Sequence, residues 1–271
     1  MSGEAIALSV GARPGQLTEE AMDVLRTADA VAGFAEFISW VKHHLQPHVD
    51  IIPDPQFDPS SGYDAVQVCY SRARTIVDRA RSGSRAVLLS GGDAGLFGMA
   101  GVLQEVAAAA EVRARVIPGV SVAFAAAAKV GAPLTDGFAA FSLAHSHAPW
   151  EQVKKRITSA LTGDFVLVLF EPVHEATAGP QYYPEHLYPT AYPLRERNYE
   201  RIAALSALIC EHQGAETLVA IVCELGPNER VIITRGAELI QHFDAITYRS
   251  AIIVGNGRVR AVGGRLIATY W

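Results

Sequence analysis

The chain has 271 residues, of which 50% are hydrophobic and 19% are charged. At roughly 100–200 residues per domain, this length favours two domains of ordinary size. The apolar share is that of a protein with a buried core, which excludes disordered and collagen-like chains. Lys and Arg number 23 against 28 Asp and Glu, so the net charge is −5. Without a long run of basic residues, a dedicated nucleic-acid surface is not expected.

The N-terminal sequence and the cysteines bear on the expected location. Glu4 is acidic where a signal peptide needs positive charge. No stretch approaches the roughly 20 apolar residues that a membrane helix needs. We therefore expect a cytoplasmic protein that binds neither membrane nor nucleic acid. The isolated thiols of Cys69, Cys210 and Cys223 lack CxxC spacing and are expected to be reduced packing residues.

Short apolar runs alternate with helix-like segments along the chain. Strands are predicted at 5–10, 85–90, 113–118, 138–143, 164–170, 217–223, 230–235 and 250–255. Helices are predicted at about 18–29, 34–45, 63–82, 97–110, 121–130, 150–162 and 195–212. The alternation predicts an α/β fold. We place an N-terminal α/β domain at 1–134 and a C-terminal α/β domain at 135–271.

Three Gly/Pro turns, at 11–15, 91–95 and 118–121, each follow a predicted strand. Open α/β sheets bind ligands at the carboxyl ends of their strands, and glycine lets the backbone approach a ligand closely. Asp93 either accepts hydrogen bonds from a ribose or ammonium group or only caps a tight turn. None of the turns fits GxGxxG or GxxxxGK[ST], so dinucleotide and P-loop interpretations lack support.

The segment 172–194 is rich in proline and tyrosine. Its prolines exclude a regular helix or a central strand. A loop of this length in a compact domain is usually functional or flexible. Its tyrosines either stack on a flat ligand, pack on one another or form a dimer contact.

Several motifs together resemble a known family. The sequence has VGARPGQLT at 10–18, ADAVAGF at 28–34, SGGDAGLFGMAG at 90–101, IPGVSVAFAAAAKVGAPL at 117–134, PWE at 149–151 and YRSAIIVGN at 248–256. They are similar to VGxGPG…LT, ADVVVGY, SSGDPGVYGMAG, VPGVTAAxAAAALLGAPL, PWE and MRTxVIVGN. These patterns are those of the tetrapyrrole methylases, and within them of the precorrin-3B C17-methyltransferases of cobalamin biosynthesis.

The resemblance implies two α/β domains flanking a cleft that holds S-adenosylmethionine, usually in a homodimer. S-adenosylhomocysteine is then the product. The cofactor contacts of the family carry over to Pro14, Gly91, Gly92, Asp93, Leu96, Ser121, Val122, Phe170, Glu171 and Gly226. No metal site is expected, because the sulfonium leaving group is already positively charged.

The sequence departs from the family pattern where the family faces cofactor and substrate. Arg13 replaces a glycine, His145 replaces an aspartate in SLSDLLTPW, and Glu171 replaces the asparagine of YNP. His145 and Arg13 are therefore the candidate catalytic residues. His145 and His147 share a face if their segment is extended. They are either a proton acceptor or axial ligand to a metallated macrocycle, or two solvent-facing histidines.

The leading functional hypothesis is a C-methyltransferase that acts on a tetrapyrrole, a corrin precursor. The alternative keeps the fold and the methyl donor but has a non-corrinoid acceptor, a peptide or a small natural product of secondary metabolism. A non-catalytic protein that binds S-adenosylmethionine or a corrinoid is disfavoured, because the GGD and PGVS turns are intact.

Overall fold

The computed structural model describes residues 3–53, 65–143, 148–173, 194–225 and 229–269. The chain forms two compact units, Met1–Val122 and Ala123–Trp271. Each unit contains its own five-stranded sheet. The α/β class expected from the alternating pattern is therefore confirmed, whereas the domain boundary at 134 stays a prediction.

The first unit is built on a parallel sheet. Its strands are β1 Glu4–Ser9, β2 Ala30–Ala32, β3 Asp50–Ile52, β4 Arg85–Ser90 and β5 Ala114–Ile117. Their order is β3-β2-β4-β1-β5, and every pair is parallel. Strand β1 lies between β4 and β5 and is buried throughout, with Ser9 in register with Ser90. The carboxyl ends of all five strands therefore lie at one edge of the sheet.

Helices cover this sheet. They are α1 Glu19–Arg26, α2 Ala35–Val41, α3 Ala65–Arg81 and α4 Ala100–Ala109. The Thr18 side chain caps α1 by accepting a hydrogen bond from the backbone N–H of Ala21. Helix α3 buries Ala73, Ile76 and Val77, which its 3.6-residue apolar spacing predicts.

The second unit holds a mixed sheet and a small three-stranded sheet. Its strands are β6 Gly131–Ala132, β7 Phe138–Ser142, β8 Val166–Phe170, β9 Leu218–Glu224, β10 Arg230–Arg235, β11 Ala251–Val254, β12 Arg260–Val262 and β13 Arg265–Ile267. The larger sheet has the order β10-β9-β11-β8-β7, with only the β7–β8 pair parallel. The smaller sheet has the order β12-β13-β6.

Three α-helices and a 3₁₀ segment complete the described part of the second unit. They are α5 Val122–Val130, whose first residue ends the first unit, α6 Trp150–Thr162, α7 Leu194–His212 and the 3₁₀ segment Gly236–Ala245. Ile157 of α6, Ile202 of α7 and Leu239 of the 3₁₀ segment are buried in one core with the strands. Within the ranges given above, no helix is both long enough and apolar enough to cross a membrane.

All eight predicted strands and all seven predicted helices are present. The bounds of β4, β10 and α6 are as predicted, and the other elements have shifted ends. Strands β2, β3, β6, β12 and β13 were not predicted, because each has only two or three residues and shows no alternation. Helix α4 begins at Ala100 instead of 97, after Phe97 adopts a left-handed φ of 55°. None of the three cysteines forms a disulfide.

Candidate functional site

Hydrogen bonds connect the three glycine turns of the first unit. The Gly92 N–H donates to the Gly11 carbonyl at 2.8 Å, and the Gly11 N–H donates back to Gly92 at 3.2 Å. The Gly119 N–H donates to Asp93 Oδ2 at 2.9 Å. Because β4, β1 and β5 are neighbours in the parallel sheet, their turns meet at its carboxyl edge. We call the connected turns 11–15, 91–95 and 118–121 the turn framework.

A buried serine lies beneath the turn framework. Ser9 is the last residue of β1 and has no solvent exposure. Its Oγ donates to the Ile117 carbonyl at 2.6 Å and accepts from the Ala94 N–H at 2.8 Å. One hydroxyl therefore satisfies a backbone group from each neighbouring strand end, which a buried polar group requires.

The Asp93 carboxylate has a structural role in the turn framework. Its Oδ1 accepts from the Gly95 N–H at 2.8 Å, while its Oδ2 accepts from Gly119. Asp93 therefore caps its own turn. Each carboxylate oxygen has a second lone pair, so a contact with a ribose or an ammonium group remains a prediction.

The packing explains why glycine occupies several of these positions. A Cβ at residue 119 would lie 2.4 Å from Ser9 Cβ, and one at residue 91 would lie 2.6 Å from Phe37 Cζ. Gly92 has a left-handed φ of 63°, which glycine adopts without strain. These glycines are needed by the protein's own packing, so their presence alone does not indicate a ligand.

The other predicted residues of the first unit lie on or beside the framework. Arg13 is half-exposed and Pro14 is exposed, in a turn where the Ala12 N–H donates to Gln16 Oε1 at 2.9 Å. Val122 begins α5, and its Cγ2 would lie 3.3 Å from a Cβ at residue 92. The remaining predicted cofactor contacts of this unit are Leu96 and Ser121. The Leu96 N–H donates to the Asp93 carbonyl, and Ser121 is buried.

Phe170 and Glu171 lie at the carboxyl end of β8 in the second unit. Glu171 is exposed and has a left-handed φ of 48°, which is uncommon for a residue with a Cβ. Ser142, at the carboxyl end of the neighbouring β7, donates from Oγ to Glu171 Oε2 at 3.0 Å. The Glu171 carboxylate therefore lies at the carboxyl ends of the parallel strands β7 and β8. The left-handed backbone conformation of Glu171 costs free energy.

Some predicted residues lie outside the described part of the chain. They are His145, His147, Gly226 and 174–193 of the Pro/Tyr-rich segment. Their roles stay predictions. Among the residues that the structure describes, no three His, Cys, Asp or Glu side chains are grouped as metal ligands.

Sequence reasoning missed a row of aromatic residues beside the framework. Phe34 follows β2, and its ring centroid lies 5.4 Å from that of Phe37 in α2. The Phe37 centroid lies 5.3 Å from that of Trp40. The signal was the spacing of three residues between successive aromatic rings, which puts them near one face of a helix.

Residues 8–240 match the family model described as Tetrapyrrole (Corrin/Porphyrin) Methylases. The chain belongs to this family. It is 28% identical over 265 residues to a probable cobalt-factor III C(17)-methyltransferase of Salmonella typhimurium, covering 95% of each chain. It is 33% identical over 175 residues to a precorrin-3B C(17)-methyltransferase of a Sinorhizobium species, covering 62% of this tetrapyrrole methylase and 64% of the relative.

A solved structure of the methyltransferase CobJ resembles this tetrapyrrole methylase with a TM-score of 0.76 and 23% identity. The match covers 99% of this chain and 100% of the other. The tetrapyrrole methylase fold implied by the sequence motifs is therefore confirmed. A cobalt-factor III methyltransferase of Priestia megaterium is longer, and the matched region spans 43% of it.

Proposed function

We propose that this tetrapyrrole methylase transfers a methyl group from S-adenosylmethionine to a carbon of a corrin precursor, in the manner of a precorrin-3B C17-methyltransferase. The observation that carries the proposal is the turn framework, in which hydrogen bonds connect the turns after three neighbouring strands. The family match and the C(17)-methyltransferase names of the relatives support the choice of acceptor.

The residues of the framework suit the methyl donor. A Cβ at Gly15 would meet no atom within 4 Å, so the backbone there is open to a ligand. Asp93 has lone pairs for a hydroxyl or ammonium group. Glu171, in the second unit, stays a predicted cofactor contact. S-adenosylmethionine supplies an electrophilic methyl group on a positively charged sulfur. The task of the chain is to orient donor and acceptor and to exclude water.

His145 and Arg13 are proposed for the acceptor side. A corrin precursor carries several carboxylates, and the half-exposed Arg13 guanidinium can bind one through charge-assisted hydrogen bonds. His145 would accept a proton, a role that suits an imidazole near neutral pH. Both positions depart from the family pattern, which also favours the alternative of a different acid-bearing acceptor. A homodimer and a cytoplasmic location remain predictions.

Calorimetric titration with S-adenosylhomocysteine, followed by incubation with S-adenosylmethionine and precorrin-3B or its cobalt form, tests the proposal. We expect saturable binding without added metal and a product heavier by one methyl group in place of hydrogen. No binding would refute the donor assignment. Binding without methylation of either macrocycle would refute the corrinoid acceptor and favour the non-corrinoid one.

A further inference from the structure

A polar residue ends an inner strand of the first sheet. Ser9 is the last residue of β1, and residues 5–8 of the same strand are apolar and have no exposed surface. Ser9 is itself fully buried, so its hydroxyl is removed from water. Burying a hydroxyl costs free energy unless it is hydrogen-bonded. Burial of apolar surface therefore does not explain why this position is a serine.

The Ser9 hydroxyl connects the turn after β4 with the end of β5. Its Oγ accepts a hydrogen bond from the Ala94 N–H at 2.8 Å and donates one to the Ile117 carbonyl at 2.6 Å. Ala94 belongs to the turn 91–95, and Ile117 immediately precedes the turn 118–121. A hydroxyl is both donor and acceptor, so one atom makes both bonds. Alanine in its place would leave the buried Ala94 N–H without this acceptor.

The same two turns are connected a second time. Asp93 Oδ2 accepts from the Gly119 N–H at 2.9 Å. The place that a Cβ at Gly119 would take lies 2.4 Å from Ser9 Cβ, so the backbone of the turn after β5 packs against the serine. Asp93 and Ser9 therefore both fix the distance between these turns. Because Ser9 has no exposed surface, its effect on a ligand is exerted through the turns.

We propose that Ser9 is a positioning residue for the methyl donor, because its hydroxyl fixes the turns 91–95 and 118–121 relative to each other before S-adenosylmethionine binds. Turns that are fixed in advance lose less conformational entropy when the donor binds. Without the hydroxyl, the arrangement that binds the donor is populated less, and the apparent affinity falls by the same factor. The inference rests on the proposed function and adds to it a residue outside the predicted cofactor contacts.

The second unit offers a matched control. Ser206 of α7 is also buried, and its Oγ donates to the Gly236 carbonyl at 2.6 Å, the same length as the bond from Ser9 to Ile117. Ser206 and Gly236 belong neither to the turn framework nor to the predicted cofactor contacts. Ser9→Ala and Ser206→Ala therefore each remove a buried serine hydroxyl, but only the first removes a connection between turns of the framework.

The experiment titrates the full chain with S-adenosylhomocysteine by calorimetry, under conditions in which urea unfolding shows every variant to be folded. Ser9→Ala should weaken binding about fivefold, the size expected for one net hydrogen bond. Ser9→Cys should fall between Ser9→Ala and wild type, because a thiol is a weaker donor and acceptor than a hydroxyl. Ser206→Ala should lose stability and bind within about twofold of wild type.

Methylation of precorrin-3B gives a second measurement. In Ser9→Ala the KM for S-adenosylmethionine should rise about fivefold, while kcat at saturating donor stays within about twofold of wild type, because the fixed turns bind the ground state and the transition state alike. A lower kcat at an unchanged KM would overturn the inference, since Ser9 would then act on the reaction step.

Equal S-adenosylhomocysteine affinity of Ser9→Ala and wild type would overturn the inference and leave the proposed function standing. An equal loss of affinity in Ser9→Ala and Ser206→Ala would also overturn it, because the stability of the fold would then control binding. If Ser9→Ala does not fold, Ser9→Cys and Ser206→Cys make the same comparison. Wild type that does not bind S-adenosylhomocysteine would refute the proposed donor, and the role of Ser9 with it.

Discussion

The Asp93 carboxylate accepts a hydrogen bond from the backbone of Gly119 at 2.9 Å and so ties the turn after β4 to the turn after β5. An analogous bond exists at the opposite edge of the same sheet. There Asp29 Oδ2 accepts from the Arg85 N–H, at the start of β4, at 2.7 Å. The sheet therefore has a bond from a backbone N–H to an aspartate carboxylate both at the carboxyl edge of its strands, the candidate functional edge, and at the opposite edge.

Substituting Asp93 and Asp29 one at a time distinguishes a role in ligand binding from a role in the stability of the fold. Asp93→Ala leaves the N–H groups of Gly95 and Gly119 without their acceptor, so we expect a loss of about 1–3 kcal/mol in the free energy of unfolding. S-adenosylhomocysteine affinity should fall at least about tenfold, because the framework loosens. Asp29→Ala should lose stability and keep its affinity. Urea unfolding and calorimetric titration measure the two effects.

Undiminished affinity in Asp93→Ala would contradict the assignment of the framework to the donor. Equal loss of affinity in the two variants would mean that stability alone controls binding.

The close packing at Gly119 predicts two alanine substitutions with opposite signs. Gly119→Ala places a Cβ 2.4 Å from that of Ser9 and should destabilise the fold by about 1–3 kcal/mol. Gly101 lies exposed in helix α4, where an added Cβ would meet no atom within 4 Å, so Gly101→Ala should stabilise by about 0.5–1 kcal/mol. Thermal unfolding of both variants measures whether each substitution lowers or raises stability. A Gly119→Ala variant as stable as wild type would show that the end of β1 can shift to make room for the added Cβ.

The left-handed backbone conformation at Glu171 predicts that a glycine substitution raises the stability of the fold and lowers the affinity for the cofactor. Glycine adopts this conformation without strain, so Glu171→Gly should raise the free energy of unfolding by up to about 1 kcal/mol. Its affinity for S-adenosylmethionine should fall several-fold, because the carboxylate is lost. Glu111, exposed with a φ of 55° after α4, is the matched control.

Glu111→Gly should gain similar stability and bind the donor as wild type does. A Glu171→Gly variant that gains stability with no loss of affinity would remove Glu171 from the cofactor contacts.

The pair His43 and His44 predicts a pH effect. Burial, the neighbouring His43 and Arg26 lower the pKa of His44 below its usual value. A histidine with a lowered folded-state pKa binds fewer protons when folded, so its contribution to stability is present above the unfolded pKa and is lost as pH falls. His43→Gln should raise the pKa of His44 without restoring it fully. Imidazole NMR titration measures this, and an unchanged pKa would contradict the charge effect.

Strands β1, β4 and β5 were predictable from sequence because they are apolar runs followed by turns. The short strands β2 and β3 were not, since three residues carry no periodic signal. The turn positions were also predictable, but their connection was not. Asp93 and Gly119 are 26 residues apart, so their bond depends on strand order. The family motifs supplied the expected cofactor contacts, which stay predictions, whereas the packing of the row from Phe34 to Trp40 beside Gly91 was visible only in the fold.

The contact between Phe37 and Gly91 has an evolutionary consequence. The related pattern SSGDPGVYGMAG has serine at this position, and a serine Cβ would occupy the place that the Phe37 ring takes in this chain. An exchange of Gly91 for serine would therefore require the Phe37 ring of α2 to move. Residues 91 and 37 are therefore coupled through space, and a change at one of them is expected to require a change at the other.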